Sequence, residues 1–160
     1  MAEERKPLKR SEELAPLSRE HHEGLLFCWK IKQGISFGTE ASILGKYVNW
    51  FWNNYLKHHF IAEEKAFNDR FFLNDAMVER MKDEHQNIEA LIHINESIAD
   101  VSLISQLTEE LNNHIRFEER ELFPYIEKKL SNDELKSISV ILSSQKKSTE
   151  IWTNEFWIKK

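Results

Sequence analysis

Two segments of the chain share an unusual frame, in which a histidine and a glutamate lie four residues apart and a second glutamate follows directly. HFIAEEK places His59 and Glu63 in this frame, and HIRFEER places His114 and Glu118 in it. Residues four apart share one face of an α-helix. In both segments the pair continues an apolar stripe, which includes Leu111 just before the second pair. The frame therefore predicts two helices that direct ionisable side chains into a core.

Two further segments place histidines on predicted apolar helix faces. His85 follows Met81 by one turn and precedes Ile88, and the pair His21–His22 lies between leucines of the first predicted helix. Burying imidazoles and carboxylates without partners is costly, so such groups are usually paired with opposite charges or bound to metal. The basic residues close to the two glutamates fall on other helix faces: Lys65, Arg116 and Arg120. The pattern therefore predicts a metal site formed by four helices rather than a set of buried salt bridges.

The predicted fold is all-α: an antiparallel up-down-up-down four-helix bundle with an additional C-terminal helix and an N-terminal arm. The 160 residues include only four glycines and three prolines, and strand-like alternation is missing. We expect one domain, with the arm over 1–17, the bundle over 18–130, and the C-terminal helix and tail over 131–160. Helix caps are predicted at Ser18, Thr39, Asn74, Asp100 or Ser102, and Ser131 with Glu134. The helices are predicted to end near Gln33 (with Gly34 as the stop), Asp69, Asn95 and Lys129. The tail EIWTNEFWIKK is expected to pack onto the bundle.

The donor types indicate which metal the site takes. Glutamates and histidines that project from facing helices are typical of carboxylate-bridged di-iron or di-manganese centres. Cys28 is the only cysteine, which disfavours a zinc finger or an iron–sulfur cluster. Two carboxylates bridging both metals, two histidines per metal and one shared oxygen bridge would make each metal five-coordinate. The donor types therefore predict a binuclear iron or manganese centre, oxo- or hydroxo-bridged, with an open coordination position; whether manganese competes with iron stays open.

The composition argues against several classes of partner. The formal net charge is −5 and no dense basic stripe occurs, so neither nucleic acid nor an anionic membrane surface is an expected partner. No run of about 18 apolar residues suggests a transmembrane helix, and MAEERKPLKRSEEL lacks the apolar segment of a secretory signal. A single cysteine fits a reducing compartment. We therefore expect a cytoplasmic protein.

Over residues 14–130 the chain resembles the hemerythrin-like (HHE cation-binding) family. The resemblance rests on LSREHHEGLL, HFIAEEKAF, MKDEHQNIEALI and HIRFEERELFPYIEK. In that family, histidines on four helices and two helical carboxylates bind a non-haem di-iron site. Carried over residue by residue, the resemblance implies the metal ligands His59, Glu63, His85, His114 and Glu118, with His21 or His22 from the first helix.

The choice between the two adjacent histidines rests on spacing. His22 precedes Leu25 by three residues, as His85 precedes Ile88, whereas the leucine stripe of the same helix fits His21 better. We favour His22 and keep His21 as the alternative.

The functional expectation follows from the number of histidines. Met81 occupies the position at which oxygen-carrying hemerythrins have a fifth histidine. Four histidines and two glutamates are similar to the sites of bacterial di-iron repair proteins and of hemerythrin-like iron and oxygen sensors. The resemblance therefore implies a protein that binds or senses O2 or NO. The alternatives are a di-iron enzyme that consumes peroxide or NO, an iron donor in metal-centre repair, and an iron store; a protein partner stays unknown.

Three glutamates near the predicted ligands also carry expectations. Glu64 and Glu119 directly follow the two ligand glutamates and are expected to face water or to pair with Lys or Arg. Glu89, one turn after His85, is a candidate to orient that imidazole through its second ring nitrogen.

Overall fold

The computed structural model describes residues 9–144 and 150–159, and all regular secondary structure among them is helical. This confirms the predicted all-α class. The helices are α1 (Ala15–Ser36), α2 (Ala41–Phe51), π1 (Trp52–Leu56), α3 (Lys57–Ala66), α4 (Asp69–Phe72), α5 (Ala76–Ser97), α6 (Val101–Phe117), π2 (Glu118–Leu122), α7 (Phe123–Lys129) and α8 (Asn132–Ser143). The segments α2, π1 and α3 form one continuous helix, the second long helix, and α6, π2 and α7 form the fourth long helix.

The first helix is longer than predicted at both ends. It begins at Ala15 rather than Ser18, because Pro16 lies in the first turn, where a missing N–H breaks no helical hydrogen bond. It continues through Gly34 and ends before Gly38, whose φ of +74° suits glycine. A Cβ on Gly34 would lie 2.6 Å from the Phe156 ring, so this glycine permits close packing and does not stop the helix. The predicted arm over 1–17 is therefore too long, and residues 1–8 of it lie outside the described residues.

The two long helices that carry the His-x-x-x-Glu frames each contain one π-helical turn. In π2 the cause is Pro124, which cannot donate to the carbonyl four residues earlier and displaces the regular hydrogen-bond pattern. In π1 the side-chain amide of Asn54 donates to the Trp50 carbonyl at 2.8 Å. π1 ends three residues before His59, and π2 begins at Glu118. These turns therefore set the rotation at which the ligand side chains leave their helices.

Some predicted caps are confirmed and others are displaced by one residue. Asp100 caps α6, and Ser131 with Glu134 forms the predicted capping box of α8. The cap of α5 is Asp75, not Asn74, because Asn74 adopts a φ of +57° in the preceding turn. The remaining differences lie at helix ends: Glu40 rather than Thr39 precedes α2, α3 ends at Ala66 rather than near Asp69, a short helix follows at Asp69–Phe72, and α5 extends to Ser97. The predicted end at Lys129 is confirmed.

Contacts between helices show which ones are neighbours. On the pair α1–α6, Cys28 lies against the Thr108 carbonyl, and a Cβ on Gly24 would lie 2.9 Å from Ile115, so residue numbers run in opposite senses. The side-chain amide of Asn95 on α5 donates to the Gly45 carbonyl of α2, so α5 and α2 are also neighbours. α6 also packs along α5, and α8 packs against α3.

The core consists of two apolar clusters with a polar layer between them. One cluster includes Phe51, Ile88 and Ile115, and the other includes Leu17 and Phe117. Along every long helix the change from one cluster to the other falls at the predicted metal ligands. The fold therefore sets the polar layer across the middle of the bundle.

The C-terminal tail packs on the bundle, as predicted. Phe156 is buried in the first cluster, and Trp152 and Trp157 pack against it. The Lys30 ammonium lies 4.1 Å from the centre of the Trp157 ring, a cation–π contact that attaches the tail to α1. Among the described residues, no helix combines the length and the apolar character that crossing a bilayer requires.

Candidate metal centre

Six of the predicted ligands meet in the polar layer, and all six are buried. They form two overlapping groups, in each of which the candidate ligand atoms lie within 4.8 Å of one another. The first group is His21, His59, Glu63 and Glu118, and the second is Glu63, His85, His114 and Glu118. The two glutamates belong to both groups and are completely buried. The arrangement therefore offers two candidate metal positions that share two carboxylates.

The preference for His22 is corrected by this placement, because His21 enters the centre and His22 is exposed. His21 follows Leu17 by four residues and so continues the buried face of α1, whereas its neighbour is rotated by about 100°. The spacing that favoured His22 relied on Leu25, but that side chain is 40 % exposed and does not mark the core face.

Each shared glutamate lies between histidines of the two groups. Glu63 Oε1 is 3.1 Å from His59 Nε2 and 3.2 Å from His85 Nε2. Glu118 Oε1 is 2.8 Å from His21 Nε2 and 3.3 Å from His114 Nε2. Each carboxylate thus faces one imidazole of either group, which is the placement that a bridging ligand needs.

Most of these inward atoms have no hydrogen-bond partner. Among residues 9–144 and 150–159, the unpartnered atoms of the centre are His59 Nε2, both carboxylate oxygens of Glu63, His85 Nε2, His114 Nε2 and Glu118 Oε2. Their mutual distances are short, but the geometry is not that of hydrogen bonds. A buried polar atom without a partner typically costs about 1–3 kcal/mol, more for charged groups. Nitrogen and oxygen donors left unpaired around a common centre fit metal ions, which would satisfy them all.

The outward ring nitrogens are, by contrast, all held by carboxylates. Nδ1 of His21 donates to Glu119 at 2.9 Å, and Nδ1 of His59 donates to Glu20 at 2.9 Å. At His59 this bond fixes the tautomer that leaves Nε2 available as a ligand. Nε2 of His21 also donates to Glu118 Oε1, at 2.8 Å, so a metal ion would have to take the place of that proton.

The other two histidines are held in the same way. Nδ1 of His85 donates to Glu64 at 3.1 Å, and Nδ1 of His114 donates to Glu84 at 2.8 Å. Each of the four carboxylates is adjacent in sequence to a ligand of its own helix and reaches a histidine of the next helix. The four contacts thus form a closed ring around the bundle, which we call the outer carboxylate ring (Glu20, Glu64, Glu84 and Glu119).

The ring corrects three sequence-based expectations. Glu119 does form the expected ion pair, with Arg10 at 3.8 Å, but it also holds the His21 imidazole. Glu64 likewise holds the imidazole of His85. Glu89 does not orient His85 but lies 3.3 Å from His93 on the exposed side of α5. The prediction missed the remaining two ring members, Glu20 and Glu84. Both residues directly precede a ligand histidine in the sequence, and this position could have indicated their role. A residue beside an inward ligand is rotated by about 100° and faces the interface with the next helix.

Further contacts support the ring from outside. Ser18 donates its hydroxyl hydrogen to Glu119 at 2.8 Å, and Arg10 donates to the main-chain carbonyl of Glu119 at 2.7 Å. Arg10 also forms a 2.8 Å ion pair with Glu127. The described end of the arm therefore fastens the His21 side of the centre to the fourth long helix.

Aromatic rings cover two of the ligand imidazoles. Phe60 stacks on His85 with ring centres 3.8 Å apart, and Phe123 stacks on His21 with centres 5.4 Å apart. Met81, at the position of the missing fifth histidine, is fully buried in the second apolar cluster and offers only a thioether. The donor set of the centre is therefore four imidazoles and two carboxylates.

The charges of the metal-free centre are strongly coupled. Burial, together with the Glu118 carboxylate, raises the pKa of Glu63 to about 8. Burial opposes the protonation of His114, but the carboxylates of Glu118 and Glu84 outweigh it and raise its pKa to about 10. Although burial opposes ionisation of Glu118, His114 and His21 hold its pKa well below the ordinary value. Without metal the centre therefore carries protons at neutral pH, and metal ions have to displace them.

Cys28 takes no part in the centre. Its thiol is buried, its sulfur lies 3.4 Å from the Thr108 carbonyl, and burial raises its pKa to about 12. A thiol held in this state is inert and fills space.

The part of the chain that the structure describes is a helical protein of the kind whose core could hold metal ions, since it brings two overlapping His/Glu groups together. The family model of the hemerythrin HHE cation binding domain matches residues 39–126, just over half of the chain. The chain therefore belongs to the hemerythrin HHE family, and the resemblance stated from the sequence is confirmed. The matched range includes five of the six residues of the centre; His21 precedes it. No curated protein and no solved structure matches the chain significantly.

Proposed function

We propose that the chain holds a carboxylate-bridged di-iron centre and that it binds or senses a diatomic molecule, O2 or NO, there. The observation that carries the proposal is the set of unpartnered inward atoms around two shared carboxylates. His21 and His59 would hold one metal ion, His85 and His114 the other, and the two glutamates both.

The donor set favours iron or manganese over zinc and copper. Imidazole with bridging carboxylate from facing helices is the ligand combination of di-iron and di-manganese carboxylate proteins. The described residues supply no thiolate to the site, since Cys28 is bonded elsewhere in the core. When bound, the two ions would supply an open coordination position for a small ligand, because the six side chains that would hold them do not fill both coordination spheres.

The chain's own residues would keep the ligands in place and surround them with apolar side chains. Leu111 and Ile115 are buried beside the centre, and Phe60 covers the His85 imidazole. The outer carboxylate ring holds every imidazole with Nε2 pointing inward. Such pre-oriented ligands lose little entropy when metal binds.

Two further expectations from the sequence, the topology of the bundle and the cytoplasmic location, form part of this proposal. Opposite-running contacts between α1 and α6 support one up-down-up-down bundle as the fold around the centre. A buried, free Cys28 is consistent with a reducing compartment such as the cytoplasm.

The test is a spectroscopic titration. The full chain is loaded with Fe(II) without oxygen, and absorption spectra are recorded while O2 or NO is added. One spectral change that saturates at one molecule per centre and reverses on removal of the gas is the expected result. Continuous consumption of NO or peroxide would instead support an enzyme, and rapid extraction of iron by a mild chelator would support storage.

A matched pair of variants controls for adventitious iron. His114→Ala removes a ligand from the centre, whereas His93→Ala removes an exposed imidazole of α5. The proposal requires that the first variant loses the spectral change and the second keeps it. Equal spectra from both variants would overturn it.

A further inference from the structure

A cleft open to the surface is lined at its inner side by histidines of the metal centre. It has a volume of about 610 Å³ and lies between α1 and the second long helix, two helices that contact each other sparsely. α8 forms a third wall through Ser139, Leu142 and Ser143. A cleft of this size is in the range of small-molecule binding sites, which is about 300–1,000 Å³.

The cleft reaches the two metal positions unequally. Among the described residues that line it are His21, His59 and His114, but His85 is not one of them. His85 is covered by the Phe60 ring, which stacks on it at 3.8 Å. A molecule in the cleft would therefore meet the His21–His59 end of the centre first.

The lining changes from polar at the rim to apolar inside. Arg19, Glu23 and His58 are exposed at the rim. Apart from the histidines and Asn54, the buried part of the wall is apolar: Phe51, Leu56, Phe60, Ala62, Leu111 and Ile115. Such a wall stabilises an apolar body by removing it from water. The polar groups at the inner end are the ones that direct ligands to metal.

The volume exceeds what a diatomic gas needs. The cleft has a volume of about 610 Å³, many times what a single water-sized molecule needs, and a diatomic gas is of similar size to water. A path for gas alone needs no cavity of this width. The extra room and its apolar wall together point to a larger occupant.

We propose that this cleft binds a small organic molecule with an apolar body and a terminal oxygen donor, and that it presents the donor to the His21–His59 end of the centre. The delivery part rests on the proposed metal centre, whereas binding of the apolar body does not. The protein would then select ligands by the length of their apolar body, which the cleft holds, as well as by their oxygen donor, which the centre holds.

The first test uses straight-chain carboxylates as probes. Butanoate, hexanoate and octanoate are titrated into the iron-loaded full chain by calorimetry. Each methylene that the cleft buries is expected to tighten binding about fourfold, so octanoate should bind up to about 250-fold more tightly than butanoate. Affinity that does not change with chain length would overturn the proposal. Equal octanoate affinity for iron-loaded and metal-free protein would overturn the delivery of the donor to the centre.

Two substitutions on α8 test the location. Ser139→Trp fills the cleft from a partly exposed position outside both core clusters, and Val140→Trp places the same side chain on the neighbouring position, which is 69 % exposed. Octanoate affinity should fall at least about tenfold in the first variant and stay unchanged in the second. Ser143→Trp, at the mouth of the cleft, is a second blocking variant if the first does not fold. Unchanged affinity in a folded blocking variant would contradict the assignment of the cleft.

Neutral probes separate this proposal from the metal centre. Octanol and butanol are titrated into metal-free protein, where no metal–donor bond contributes. Octanol binding that Ser139→Trp removes would support the cleft even if the protein took up no iron. Octanol binding no tighter than that of butanol would refute the cleft while leaving the metal centre intact.

Discussion

The outer carboxylate ring leads to a quantitative prediction for Glu84. Glu84 accepts a 2.8 Å hydrogen bond from Nδ1 of His114, and its side chain is 26 % exposed. Glu84→Ala leaves that buried nitrogen without an acceptor and allows the imidazole to rotate or change tautomer. Loss of such a partner typically weakens metal binding 10- to 100-fold, which is about 1.4–2.8 kcal/mol. Because the carboxylate is partly exposed, water can replace part of the bond, and we expect a loss of about 10- to 30-fold.

Three variants and one assay separate orientation from charge. Metal affinity is measured by competition with a chelator of known affinity. Glu84→Gln keeps an oxygen acceptor and should restore most of the affinity. Glu89→Ala is the control, because it removes an exposed carboxylate of the same helix that lies 3.3 Å from His93. If Glu84→Ala binds metal as tightly as the unmodified chain, or if Glu89→Ala weakens binding equally, the ring has no orienting role. A shifted Nδ1–H resonance of His114 in the first variant is a second readout.

Further predictions concern the ligands, the pH dependence and the tail. His21→Ala should lose about half of the bound metal, and His22→Ala should lose none, as metal analysis of both variants will show. Since the pKa of His114 is raised to about 10, metal uptake should release protons and strengthen as pH rises, which calorimetry in buffers of different ionisation enthalpy measures. Protonation of His114 contributes stability to the metal-free fold. This contribution is complete below the ordinary pKa of 6.5 and is lost as pH rises through about 10. The melting temperature of metal-free protein should therefore fall across that pH range, whereas that of loaded protein should not. Gly34→Ala should destabilise the chain by about 1–3 kcal/mol in urea unfolding, because its Cβ would lie 2.6 Å from Phe156.

The sequence carried enough information for the fold class and for most of the centre. Apolar periodicity alone placed His59, Glu63, His114 and Glu118 on inward faces, because a helix of fixed pitch leaves no choice of face once its stripe is known. The capping box of Ser131 and Glu134 is also predictable from the sequence, since it is a local interaction.

The errors fall where tertiary contacts decide. The sequence predicts a helix stop at Gly34, but Phe156, more than a hundred residues later, requires a small residue there. The sequence favours His22 because it precedes Leu25 by three residues, as His85 precedes Ile88, although 40 % of Leu25 is exposed. Glu84 was missed because its partner lies on another helix. Information of this kind depends on which helices are neighbours, and no local pattern contains it.

The most direct test of the shared-carboxylate centre is metal stoichiometry. The full chain is reconstituted with Fe(II), freed of excess metal and analysed for iron, beside Glu63→Ala as the variant that removes one shared carboxylate. About two irons per chain, with loss of both in the variant, is the expected result, because Glu63 lies between His59 and His85 of the two groups. Less than about a tenth of an equivalent of iron in the unmodified chain, or two irons retained by the variant, would contradict a centre built on shared carboxylates.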